Sequence, residues 1–91
     1  MRKTVAVKDT RETLVNNPFA QLVGFTLRLG RRGSGKATAA LDVRPELLNP
    51  NGVVHGGVLF SIADTVMGAA LYTTLEPAAN CATIEIKIHF L

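Results

Sequence analysis

The chain has 91 residues, a net charge of +3, 47% hydrophobic and 19% charged residues, which suits one small soluble domain and excludes a disordered chain. The apolar stretch 56–71 is broken by Ser61, Asp64 and Thr65, short of a membrane span, and residues 1–9 lack the apolar core of a signal peptide. The lone cysteine, Cys81, excludes an internal disulfide and fits a cytoplasmic protein.

Charge is unevenly placed. Residues 1–36 hold eight Lys/Arg against two acids, and residues 37–91 hold two against five. A basic segment could attract nucleic acid, a membrane surface or a phosphorylated cofactor, while the plainer reading is a solvated face plus a frayed tail. No aromatic residues interleave the basic ones as in single-strand binders, and neither nucleic acid nor a membrane is expected as a partner.

Residues 1–8 read as a flexible tail. Asp9 to Asn16 reads as a short helix, with Asp9 as cap, Glu12 three residues later and Pro18 as its stop. Phe25 to Leu29 alternates apolar and polar, and Ala37, Ala39, Leu41 and Val43 resume the alternation after a Gly-rich turn, giving a β-hairpin. The turn, Gly30-x-x-x-x-Gly35-Lys36, approaches a phosphate-binding loop. Ala37 stands where that motif needs Ser or Thr, and a strand follows instead of a helix, so turn dihedrals explain the glycines better.

Residues 44–54 read as a loop with turn chemistry at Asn49-Pro50-Asn51-Gly52. Gly56 or Gly57 then opens a helix to about Thr74, closed by Glu76-Pro77. Thr83 to Phe90 alternates most clearly of all, with Ile84, Ile86, Ile88 and Phe90 on one side, and is predicted to be a strand.

The helix is chemically unusual. Leu59, Ala63, Val66 and Ala70 form an apolar stripe. The other side carries Ser61, Asp64, Thr65 and Gly68, small residues around one carboxylate, which points Asp64 at a partner chain or a ligand. His55-Gly56-Gly57 sets unhindered N–H groups at the helix start, where the dipole favours negative charge and an oxyanion could be stabilised. Gly56 and Asp64 stand eight residues apart, about 12 Å along a helix. One reacting carbon cannot touch both, so if both are catalytic, two copies of the helix pair across a two-fold axis and share two sites.

Asn49-Pro50-Asn51-Gly52-Val53-Val54-His55-Gly56-Gly57, with Asp64 nine residues after the histidine, resembles the signature of the PaaI-like hotdog thioesterases, the phenylacetyl-CoA type. Leu59 to Asp64 and Thr83 to Phe90 look like that family too. The resemblance implies an α+β hotdog fold, an antiparallel sheet wrapped around a central long helix. Residues 1–91 would be one partial domain, cut after the strand that follows the helix, where the family continues with further strands. On that expectation the 91 residues alone would not make a stable, active enzyme.

The implied function is an acyl-CoA thioesterase, hydrolysing an aromatic or short- to medium-chain acyl-CoA to free acid and coenzyme A. Asp64 would be nucleophile or general base, the Gly56 N–H would polarise the carbonyl, Asn49 and His55 would orient the acyl group and loop, and Thr83 would sit near the attacking water. No metal or cofactor is implied, coenzyme A being part of the substrate. The basic residues Arg28, Arg31, Arg32 and Lys36 are candidates for its phosphates. The partner would be a second copy, as a homodimer or dimer of dimers with the site at the interface. The alternative is a non-catalytic hotdog module that binds acyl-CoA or only dimerises.

Overall fold

The structure, a computed structural model, describes residues 12–90. Its elements in chain order are β1 (Glu12–Val15), α1 (Pro18–Val23), β2 (Phe25–Gly30), β3 (Ala37–Leu41), a 3-10 turn (Pro45–Leu47) and α2 (Gly56–Tyr72). The three strands form one antiparallel sheet in the order β1-β2-β3.

The first element differs from its sequence reading. Glu12–Val15 is a strand that pairs with β2, Val15 opposite Leu27, where a helix over 9–16 was expected. Residues 9–11 and the tail 1–8 lie outside the described residues. Two of the four strand residues, Thr13 and Val15, are β-branched and favour an extended backbone once a neighbouring strand is available. Pro18 starts a helix and does not stop one. It stands at the first helical position, where its missing N–H costs nothing, and the Asn17 side chain caps the helix by accepting from Ala20 N at 2.9 Å. Gly24, in the left-handed region, ends it.

The β2–β3 hairpin forms as its alternation predicts, with Phe25 opposite Leu41 and Leu29 opposite Ala37. Gly33 and Gly35 take φ of +84° and +67°, so the glycines of the near phosphate-loop do serve the turn. Phe25 and Leu27 are buried, with Ala20 and Leu47, and Phe19 meets Phe25 edge to face at 6.4 Å. Period-two alternation puts Leu27 and Leu29 on the α2 side and Arg28 and Gly30 on the other.

Helix α2 packs across β2 and β3. Its end is fixed by Thr73, only 3% exposed. The Thr73 hydroxyl donates to Ala70 O at 2.7 Å and accepts from Gly35 N at 2.8 Å, while Thr73 O accepts from Gly33 N at 2.6 Å. One buried threonine thus ties the helix to the hairpin turn. The expected apolar stripe does not sink into a core: no α2 residue is fully buried, and Leu59 is exposed. Thr65 and Gly68, expected on the side turned to a partner or ligand, line with Ala69, Tyr72, Leu27 and Leu29 a cavity of about 570 Å³ between helix and sheet.

The other departure is at 83–90. These residues form no strand, and Ile84 is 99% exposed. Alternation describes the side chains, but a strand also needs a neighbour to complete its hydrogen bonds. This segment meets α2 instead, through Thr83 at Asp64 and Phe90 beside Gly56.

Candidate functional site

The loop before α2 is organised by Asn49. Its side-chain oxygen accepts from Asn51 N at 2.9 Å and Val53 N at 3.3 Å, and its carbonyl accepts from Gly52 N. Leu48 and Val54 form an isolated bridge, and His55 N donates to Leu47 O at 2.8 Å. This is an Asx-type turn closed into a small loop, so the sequence-predicted turn also aims the helix start.

His55 is the N-cap of α2. Its Nδ1 accepts from Gly57 N at 2.8 Å, so the ring lies across the first turn with its lone pair on the backbone. A β-carbon at Gly57 would stand 3.0 Å from that Nδ1, which is why the position suits glycine. Gly56, the first helical residue, has an N–H with no acceptor within the helix. The space beside it is not open, as the sequence suggested: the Phe90 ring lies 3.3 Å from where a Gly56 β-carbon would be.

Asp64 stands mid-helix and half-buried. Thr83 donates its hydroxyl to Asp64 Oδ1 at 2.5 Å, joining two of the sequence-predicted residues across 19 positions. Cys81 Sγ lies 3.7 Å from Gly68 O, one turn further along. Ser61 donates to Gly57 O at 2.9 Å and so is spent within the helix. Asp64 and Gly56 lie on one unbroken helix, which keeps them about 12 Å apart in a single chain. The structure therefore brings Asp64 to Thr83, while Asn49 orders the loop that leads into His55 and Gly56, and the two groups stay separate.

The basic residues also divide. Arg32 turns to the Leu75 carbonyl beyond α2, and Arg44 Nη1 donates to Val23 O at 2.6 Å. Arg28, Arg31 and Lys36 line one pocket on the hairpin. Among the described residues, no three His, Cys, Asp or Glu side chains gather as metal ligands. No helix among them is long and apolar enough to cross a membrane. The sequence reading missed Phe90 as a neighbour of Gly56 and Thr73 as the buried anchor. Phe90 was read only as one face of a strand, and a threonine at a helix end signals nothing about what docks on it.

Residues 51–91 match the family model of the thioesterase superfamily, a segment that takes in α2, Asp64 and Thr83. A relative from Mycobacterium tuberculosis, named "Putative esterase", is 39% identical over 62 residues, 68% of this chain and 43% of the relative. Another of that name from Saccharolobus solfataricus is 26% identical over 87 residues, 96% of this chain and 56% of the relative. A second from that organism is 35% identical over 57 residues, 63% of this chain and 40% of the relative. The chain spans about half the length of the curated relatives it matches. No solved structure matches it.

Proposed function

We propose that this chain carries the active-site segment of a PaaI-like hotdog acyl-CoA thioesterase, acting on an aromatic or short- to medium-chain acyl group. The superfamily match and the esterase names of the relatives support a hydrolase of thioester type. The observation that carries the finer reading is the hydrogen bond from Thr83 to Asp64, inside the matched segment. It ties one carboxylate oxygen of Asp64 to Thr83, which supports a defined role for that carboxylate.

In this reading Asp64 removes a proton from water as the water oxygen attacks the thioester carbonyl carbon. The carbonyl oxygen takes up the negative charge, which a Gly56 N–H meets at the positive end of a helix. Collapse reforms the carbonyl, breaks the carbon–sulfur bond and expels the coenzyme A thiolate, which takes up a proton. Direct attack by Asp64, with an anhydride then hydrolysed, uses the same groups. Because ~12 Å separates Gly56 from Asp64 in one helix, the Gly56 that serves a given Asp64 comes from a second copy. Asn49 and His55 shape the loop that presents this N–H. The reaction needs no metal or cofactor, and Cys81, unpaired, fits a cytoplasmic setting.

Asp64→Asn should lower kcat/KM for acyl-CoA by about 10²–10⁴-fold, followed by release of free thiol. An unchanged rate would contradict the reading. A non-catalytic hotdog module that binds acyl-CoA or only dimerises is the second reading, and the seat of the Phe90 ring on Gly56 favours it. Acyl-CoA binding without thiol release, in the unsubstituted protein, would decide for it.

A further inference from the structure

We propose that the outer face of the β2–β3 hairpin is an anion site for a diphosphate group, held by Arg28, Arg31 and Lys36. The pairing of the strands builds the site. Arg28 lies opposite Thr38, and Gly30 N donates to Lys36 O at 2.8 Å, so these four residues form a patch on one face of the ladder. Leu27 and Leu29 point to the other face, toward α2, so the patch is on the side of the sheet away from the helix. Arg31, the first residue of the turn, and Ser34 add a cation and a hydroxyl to the lining. Together they line a pocket of about 230 Å³. Gly30 carries no side chain, and the space a β-carbon would take there is filled by the Ser34 hydroxyl and the Lys36 carbonyl, which holds the turn against the strand end.

The neighbouring cations are disposed of differently. Arg32 is drawn to Leu75 O and Arg44 to Val23 O, so the three that converge are selected by the fold and not by sequence proximity alone. Three donors of positive charge around a concave, half-open pocket suit a compact, multiply charged oxyanion. Two guanidinium forks and an ammonium match the several oxygens of a diphosphate better than a single carboxylate. The turn carries no aromatic residue to stack a base. Coenzyme A and a free nucleoside diphosphate both present this group. In the first case the inference rests on the acyl-CoA reading, and in the second it stands apart from it.

Titration calorimetry of the full chain with inorganic pyrophosphate tests the site without any thioester. One saturable equivalent per chain is expected, weakened at least tenfold by Arg28→Gln and by Lys36→Gln and weakened by added salt. Lys87→Gln, a cation outside the hairpin, should leave binding unchanged, and circular dichroism should show the variants folded. Coenzyme A binding more tightly than ADP, with the same dependence on Arg28 and Lys36, assigns the site to the thioester substrate. Equal binding of the two assigns it to a free nucleotide. Absence of pyrophosphate binding, equal loss in all three variants, or tight binding of a single-stranded oligonucleotide alone would overturn the proposal. Because pyrophosphate has no thioester, failure here leaves the hydrolase reading untouched.

Discussion

Thr83 Oγ1 lies 2.5 Å from Asp64 Oδ1, and this hydrogen bond joins α2 to the segment that follows it. The two residues are 19 positions apart. Their contact gives the carboxylate a fixed orientation that an aspartate on an open helix face would lack. It also gives residues 83–90 a tie to the helix where no strand ladder holds them.

If that bond orients Asp64 for catalysis, removing the hydroxyl should affect turnover more than binding. Thr83→Val should lower kcat about tenfold, the worth of one charge-assisted hydrogen bond at roughly 1.4 kcal/mol, with KM little changed. Thr83→Ser keeps the donor and should restore most of the rate. A fall in both variants, or in neither, would show that Thr83 acts through packing alone.

Thr73 makes a separate, structural prediction. Thr73→Val removes the acceptor of Gly35 N and leaves a part-buried backbone donor unpaired at the joint of helix and hairpin. The expected loss is about 1–3 kcal/mol, read from urea unfolding. Thr74→Val removes only an exposed bond to Leu71 O and should cost under about 1 kcal/mol. Equal losses at the two positions would deny Thr73 its anchoring role.

Gly57→Ala tests the imidazole cap. The added methyl would stand 3.0 Å from His55 Nδ1, and the ring must give by a few tenths of an ångström, which strains its bond to the Gly57 N–H. Loss of an N-cap costs about 0.5–2 kcal/mol, against which alanine's better helix propensity returns part. A net fall in thermal midpoint is expected. A rise would show that the cap contributes nothing.

How much of this was legible in the sequence follows from what each feature depends on. The β2–β3 hairpin and α2 were readable because their patterns are local: alternation around a glycine turn, and a helix opened by His55-Gly56-Gly57. β1 was misread because the cap-like spacing of Asp9 and Glu12 resembles a helix start, while its strand state depends on β2 beside it. Pro18 reads as a stop because proline marks both ends of helices, and only the Asn17 side chain tells which. The strand expected at 83–90 failed for the converse reason: its alternation is plain, but nothing in one sequence supplies the neighbour. In the candidate site, Asp64, Thr83, Gly56, His55 and Asn49 were all named from motif and resemblance. The 2.5 Å contact of Thr83 with Asp64 and the seat of Phe90 on Gly56 join residues distant in sequence and could be found only in the fold.

The central claim is that one site draws Asp64 from one copy and the Gly56 N–H from another, and mixing two inactive variants tests it most directly. Asp64→Asn removes the carboxylate. Gly56→Pro removes the N–H at a first helical position that accepts proline, after a His55 backbone at φ −59° and ψ 135° that already suits a residue before proline, with the Phe90 ring giving by a few tenths of an ångström. Each variant alone should be nearly inactive. Co-refolded in equal amounts, half of the dimers carry one of each, with one intact site in two, so thiol release should recover to about a quarter of the unsubstituted rate. No recovery, from variants shown to form mixed dimers, would contradict a site shared between two copies.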